Sequence, residues 1–227
     1  MPSELSVKQQ REARRAEKVA ALKKQQSKQK RNRLITLIAS GAAAAGVLTL
    51  VITFVVTSAV PKADPASIEI PGLQTFDGLT ASHVDTDSDA SNDVVDYDAQ
   101  YGMNPPAGGN HWGAWLNCGI YTEPQQSENA VHALEHGALW ITYNADELSE
   151  DEISTLQGRM PSSYVILSPY TGLESPVVAS AWGNQVALDS VDDPILDDFI
   201  DKFWRSAEVP EPNASCTGAI DGPGRIA

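Results

Sequence analysis

The sequence predicts a single small α+β domain outside the membrane, with a mainly antiparallel sheet and about three helices, preceded by one transmembrane helix. Three observations lead to this fold class. An uncharged stretch of 27 residues lies near the N-terminus, short runs rich in β-branched and aromatic residues follow it, and helix-start signals separate those runs. The predicted segments are a basic cytoplasmic segment at 1–33, the transmembrane helix at 34–60, a linker at 61–71 and the α+β domain at 72–227.

The two sides of the uncharged stretch carry opposite charge. Residues 1–33 contain 11 basic and 3 acidic side chains, whereas the residues after 60 contain 5 basic and 27 acidic ones. Basic residues before a span keep that end in the cytoplasm, so this distribution predicts a single-pass protein of the cell membrane with its C-terminal domain outside. A strongly acidic surface repels phosphate, and no nucleic-acid partner is expected.

The stretch from Leu34 to Val60 is long enough to cross a bilayer, for which about 20 apolar residues suffice. A cleaved secretory signal has an apolar core of roughly 7–15 residues, so we expect an uncleaved anchor. Small residues at 40–46 would allow a second helix to approach closely. The expected partners are therefore the lipid bilayer and other membrane proteins, reached through this helix and the outer domain.

Local signals predict the elements of the domain. Ser127 is expected to cap a short helix that ends before Gly137, and Ser149 and Glu152 form an S-x-x-E capping box. Runs of β-branched and aromatic residues predict strands. In chain order the expected elements are a short strand at 94–97, a helix at 127–136, a strand at 138–143, a helix at 149–157, strands at 164–167, 177–182 and 185–188, and a last helix at 194–206.

The chain has two cysteines, Cys118 and Cys216, and both follow the predicted span. The outer side of a membrane is oxidising, and an even number of cysteines there favours pairing. We therefore predict a Cys118–Cys216 disulfide. The alternative is that Cys118 serves as a metal ligand.

The four histidines predict a metal site. His132 and His136 are four residues apart on a short predicted helix, and this spacing places two imidazoles on one face. Glu128 and Glu135 fall on the same face as the two imidazoles. We expect His111, which follows the Gly108-Gly109 turn, to join His132 and His136 on one ion. His83 or Met103 would complete the site, and Glu135 and Glu128 would orient the bound imidazoles through hydrogen bonds.

The ligand types limit the metal and leave three readings open. Imidazoles suit zinc, copper, iron or nickel, and a thioether ligand would favour copper. The sequence His132-Ala133-Leu134-Glu135-His136 also matches the H-x-x-E-H pattern of inverted zinc metalloproteases, in which Glu135 would act as the catalytic base. In the third reading the histidines only hold loops together in a metal-free structural subunit.

Longer motifs carry a resemblance to a known family. These motifs are PPAGGNHW at 105–112, NCGIY at 117–121, VHALEHGA at 131–138, SPY at 168–170 and AWG at 181–183. Together they resemble the domain-of-unknown-function family 3105 over roughly residues 75–218. The resemblance implies a bacterial protein of a family frequent in actinobacteria, often with one N-terminal membrane helix. It implies no activity, but it implies that five residues belong to one pattern: His83, His111, His132, Glu135 and His136.

The expected function is that of a membrane-anchored, extracytoplasmic protein that binds copper or zinc. Its expected setting is an accessory role beside a membrane respiratory complex. This setting follows from the topology and the ligand type, and a binding role is favoured over an enzymatic one.

Overall fold

A computed structural model of the protein describes residues 7–58, 64–84 and 94–226. The chain divides into two units, 1–62 and 63–227. In the first unit, helix α1 runs from Val7 to Ser58. Over the described residues, no helix combines the length and the apolarity needed to cross a membrane. The transmembrane helix at 34–60 stays a prediction, and its last two residues lie outside the described ranges.

The second unit is a small α+β domain built on one mixed sheet of six strands. The strand order across the sheet is β1-β6-β5-β3-β4-β2. The strands are β1 (Gln74–Thr75), β2 (Gly119–Ile120), β3 (Leu139–Tyr143), β4 (Val165–Pro169), β5 (Val177–Ala181) and β6 (Asn184–Leu188). The helices are α2 (Tyr97–Tyr101), α3 (Ser127–Glu135), α4 (Glu150–Gly158) and α5 (Ile195–Phe203), and a 3-10 turn lies at Pro65–Ser67.

The pairing of the strands corrects the prediction of a mainly antiparallel sheet. β6 pairs antiparallel with β1 and β5, and β5 pairs antiparallel with β3. β4, however, pairs parallel with both β3 and β2. Parallel neighbours need a crossover connection, and α4 provides it between β3 and β4. The strands β3 to β6 were predicted from their residues, but β1 and β2 were not, and local sequence signals carried no information about this crossover.

Layers of apolar side chains cover both faces of the sheet. All five residues of β3 are buried, and successive side chains of a strand point to opposite faces. Ile141 lies in the cluster that includes Phe199 of α5. Trp140 lies in a second cluster with Ala133 and Leu134 of α3. The helix that carries the H-x-x-E-H pattern is therefore packed against the sheet instead of standing free on the surface.

The helix boundaries confirm most of the local predictions. Ser149 and Glu152 form the expected capping box at the start of α4. Helix α3 ends before Gly137, although Gln126 precedes it as the cap and Ser127 is its first residue.

The short strand predicted at 94–97 was wrong. The Asp96 carboxylate accepts a hydrogen bond from the Ala99 backbone N–H and caps the five-residue helix α2. A side chain that satisfies a free N–H of the first turn favours helix, and here it outweighs the β-branched residues before it. This element brings the described part of the domain to four α-helices, where about three were expected.

Part of the predicted linker at 61–71 packs on the domain. Asp64 caps the 3-10 turn at Pro65–Ser67. Ile70 is buried in the main core, and the Lys202 ammonium donates a hydrogen bond to the Ile68 carbonyl. The ordered domain therefore begins before residue 72.

The C-terminal tail is attached to the loop that contains Cys118. The predicted Cys118–Cys216 disulfide is confirmed, so Cys118 is not available as a metal ligand. Two backbone hydrogen bonds also join the tail to this loop. The Cys118 N–H donates to the Cys216 carbonyl at 2.7 Å, and the Asn117 N–H donates to the Ile220 carbonyl at 2.8 Å. These contacts hold the tail against the same region of the fold that carries the histidines.

Candidate metal centre

Helix α3 places polar side chains inside the protein. Glu128, His132 and Glu135 are each at most 3 % exposed, although the helix is short and carries both acidic and basic groups. The helix ends at Glu135 with His136 as its C-cap, and Gly137 adopts a positive φ of 91° as the chain turns into β3. A buried polar group is costly unless it finds a partner, so the environment of these side chains decides what they can do.

The loop before His111 packs tightly against α2. Gly109 has a φ of 105°, and a Cβ atom added there would lie 2.7 Å from the Tyr101 ring. The loop then pairs with the segment that contains His83, through hydrogen bonds from the His111 N–H to the Ser82 carbonyl and from the Val84 N–H to the His111 carbonyl. The absence of a side chain at Gly109 thus allows His111 to reach α3 and brings His83 with it.

Hydrogen bonds fix the neutral tautomer of three imidazoles. A backbone carbonyl only accepts, so a ring nitrogen bonded to it must carry the proton, and in the neutral ring the other nitrogen keeps its lone pair. This is the arrangement that metal-bound histidines adopt. His111 Nδ1 donates to the Gly109 carbonyl at 2.9 Å. In the same way, His132 Nδ1 donates to the Trp112 carbonyl and His136 Nδ1 to the Ser215 carbonyl, both at 2.7 Å.

One set of donor atoms, which we call the inner group, consists of His83, His111, His132 and Glu135. Its four donor atoms all lie within 4.8 Å of one another. Glu135 Oε2 is 2.9 Å from His111 Nε2 and 3.9 Å from His132 Nε2. Tetrahedral ligands with bonds of about 2.0–2.1 Å lie about 3.3–3.4 Å apart, a separation that falls between these two distances. Small movements of these side chains would therefore make room for an ion among the four donor atoms. His83 is the one exposed member of the group.

Two buried atoms of the inner group face each other closely. His111 Nε2 and Glu135 Oε2 lie 2.9 Å apart, and neither has a hydrogen-bond partner among the described residues. In the neutral tautomer that donates the Nδ1 proton to the Gly109 carbonyl, the His111 ring presents a lone pair to the carboxylate. A cation shared by the two acceptors would satisfy both.

The electrostatics keep two members of the inner group, His132 and Glu135, in their ligand forms at neutral pH. The pKa of His132 is lowered to about 4. Burial is the main cause, and the imidazoles His111 and His136 also lower it, against the Trp112 carbonyl and Glu135, which raise it. Burial raises the pKa of Glu135, but the contact with His111 and the nearby imidazoles outweigh it and lower that pKa overall. The imidazole of His132 is therefore neutral and the carboxyl group of Glu135 is ionised, as metal coordination requires.

A second set, which we call the outer group, consists of His132, His136 and Glu211. His136 Nε2 lies 3.3 Å from Glu211 Oε2, and the Glu211 side chain is 53 % exposed. The structure therefore divides the expected triad of His111, His132 and His136 between two groups that share His132. This happens because His136 follows the last turn of α3 and faces the tail, where its Nδ1 donates to the Ser215 carbonyl.

The structure gives Met103 and Glu128 other partners. The buried Met103 sulfur accepts the Ala107 backbone N–H at 3.3 Å. The Glu128 carboxylate accepts the Val95 backbone N–H at 2.8 Å and a bond from the Gln126 amide, so it anchors the segment before α2 instead of orienting an imidazole.

Sequence reasoning missed two residues of this region. Glu211 lies in the Pro-rich tail, far from the histidines along the chain, and its only signal was its nearness to Cys216. The Trp115 ring lies 5.7 Å from the His132 ring and 5.1 Å from the His136 ring, measured between centroids. Trp115 Nε1 is buried and makes no hydrogen bond to the described residues. No periodicity or motif pointed to either side chain.

Comparison with known proteins identifies the family but no activity. No curated protein and no solved structure gives a match to this chain. A family model, described as "Protein of unknown function (DUF3105)", matches residues 94–218, a range that contains both cysteines and every residue of the two groups except His83. Membrane anchoring and frequency in actinobacteria stay predictions. Because the match covers more than half of the sequence, the chain belongs to the DUF3105 family of proteins of unknown function.

Proposed function

We propose that this protein binds one transition-metal ion, copper or zinc, through the inner group. The observation that carries the proposal is the buried contact between His111 Nε2 and Glu135 Oε2, two acceptors 2.9 Å apart without a hydrogen bond. A cation is the simplest partner that stabilises both atoms at once. Imidazole nitrogen and carboxylate oxygen are ligands that Zn²⁺ and Cu²⁺ both accept.

The proposed setting is the outer face of a cell membrane. It is supported by the 27 uncharged residues from Leu34 to Val60, by the basic segment before them and by the disulfide, which is typical of oxidising compartments. In this setting the protein would hold its ion as an accessory subunit beside a membrane complex, such as a respiratory complex. Protease added to intact protoplasts should digest the C-terminal domain and spare residues 1–33; protection of the domain would reverse the proposed orientation.

The geometry favours binding over hydrolysis through the H-x-x-E-H pattern. In that chemistry His132 and His136 hold one zinc ion, while the glutamate acts on a bound water. Here Glu135 Oε2 lies among the donors of the inner group, 2.9 Å from His111 Nε2, which favours a role as a ligand over that of a base acting on water. The three bonds from imidazole Nδ1 atoms to backbone carbonyls also suit the metal-free structural reading, so metal binding itself must be measured.

The test is a zinc titration of the full-length protein in competition with a chromophoric chelator. We expect one ion per chain, and His111→Ala should weaken binding at least about tenfold because it removes a ligand. Glu147→Gln is the matched control, since Glu147 is exposed and belongs to neither group. Equal affinity of the His111→Ala variant and the wild type would refute the inner group as the site.

A further inference from the structure

The two groups of donor atoms share one side chain. His132 belongs to the inner group with His83, His111 and Glu135, and to the outer group with His136 and Glu211. Its ring centroid lies 4.8 Å from that of His111 and 4.7 Å from that of His136. The imidazole of His132 therefore stands between two candidate positions for an ion.

His132 can serve only one of these positions at a time. It gives its Nδ1 proton to the Trp112 carbonyl at 2.7 Å, so only the Nε2 lone pair is free. A single lone pair binds a single ion. Without His132 the outer group keeps only two ligands, whereas the inner group keeps three, so the inner position holds an ion more strongly.

The outer group has the spacing of a metal site by itself. The distance of 3.3 Å between His136 Nε2 and Glu211 Oε2 matches the separation of about 3.3–3.4 Å expected for two tetrahedral ligands. His136 is 97 % buried and oriented by the Ser215 carbonyl, whereas Glu211 is half exposed. The Glu211 backbone N–H donates to the Glu135 carbonyl at 3.1 Å, and this bond fixes the tail beside α3.

We infer that the outer group is a second, weaker position for the same metal ion, which exchanges with the inner position through His132. The inference rests on the proposed function and extends it. Each position then has one exposed ligand, His83 for the inner group and Glu211 for the outer group, and both meet at the buried His132. A bound ion thus has two routes to the solvent, a property suited to a protein that passes its metal to a partner.

Zinc affinities of combined variants of the full-length protein test this inference. Glu211→Gln alone should change the affinity less than threefold, because the ion stays in the inner position. In a His111→Ala background, which removes one ligand of the inner position, weaker binding should remain and should depend on the outer group, so adding Glu211→Gln should reduce that residual affinity at least about tenfold. Glu208→Gln is the matched control, because it removes an equal charge from the same exposed tail.

Glu135→Gln provides a second background that retains the imidazole of His111, in case His111→Ala perturbs folding. The inference is overturned if Glu211→Gln has no effect in either background. It is also overturned if Glu211→Gln weakens the wild type as strongly as the variants, because the ligands would then form one site. Absence of zinc binding by the wild type would instead refute the proposed function, so the two failures are distinguishable.

Discussion

Glu135 Oε2 faces His111 Nε2 across 2.9 Å in the protein interior, and neither atom has a hydrogen-bond partner among the described residues. This relationship predicts an unusual effect of Glu135→Gln. The amide N–H₂ of glutamine can donate to His111 Nε2, so the metal-free protein should become more stable by about 1 kcal/mol. The same change removes an anionic ligand and should weaken zinc binding at least about tenfold.

Urea unfolding in the presence of a chelator, combined with zinc titration, measures both effects of Glu135→Gln. If His111 were instead protonated and paired with Glu135, the substitution would destabilise the metal-free protein. A loss of stability without any change in zinc affinity would therefore favour the structural reading over the metal site.

His132 predicts the pH dependence of stability in the metal-free protein. Its pKa is about 4 in the folded chain and 6.5 in the unfolded chain, so the unfolded chain binds more protons between these values. Stability from this group is complete above pH 6.5 and falls as the pH decreases toward 4, by up to about 3 kcal/mol. Urea unfolding at pH 7.5 and 4.5 should show a smaller difference for His132→Gln than for the wild type. An equal difference would contradict the assignment of this effect to His132.

The tight loop before His111 predicts the effect of Gly109→Ala. A Cβ atom there would meet the Tyr101 ring at 2.7 Å, and the φ of 105° is unfavourable for alanine, so we expect a loss of about 2–3 kcal/mol. Gly72→Ala is the control, because Gly72 also has a positive φ, of 77°, but open space around it, and should cost about 1 kcal/mol. Thermal unfolding compares the two, and equal losses would show that backbone strain alone matters.

The disulfide between Cys118 and Cys216 should contribute strongly to stability. It links residues 98 positions apart, for which loss of chain entropy in the unfolded state corresponds to about 4–5 kcal/mol. Reduction with dithiothreitol should lower the unfolding midpoint of the wild type and leave that of a Cys118→Ser, Cys216→Ser double variant unchanged. A wild-type midpoint that does not respond to reduction would show that the backbone bonds of the tail suffice.

The sequence predicted the elements better than their arrangement. Local chemistry identified the capping box of Ser149 and Glu152 and the strand at 177–181, because caps and side-chain patterns act over a few residues. The parallel pairing of β3 with β4 depends on a crossover and has no local signal. The strand expected at 94–97 does not form, because the Asp96 carboxylate accepts a hydrogen bond from the Ala99 N–H and caps a short helix there.

The candidate site was predicted as a set of residues but not as two groups. Helical spacing brought His132 and His136 together correctly, and their ring centroids lie 4.7 Å apart. The spacing could not show that His136 faces the tail, because Glu211 reaches it only through the folded chain and the disulfide. His83 was expected only as an optional ligand, and its pairing with the His111 segment makes it a member of the inner group.

The most direct test of the central claim is X-ray absorption at the zinc edge of the full-length protein, loaded with one equivalent of Zn²⁺ and desalted. The inner group predicts retention of about one ion per chain, with nitrogen and oxygen ligands at about 2.0–2.1 Å and the scattering pattern of several imidazoles. A protein that loses its zinc on desalting, or a spectrum with only water-like oxygen neighbours, would contradict the metal site.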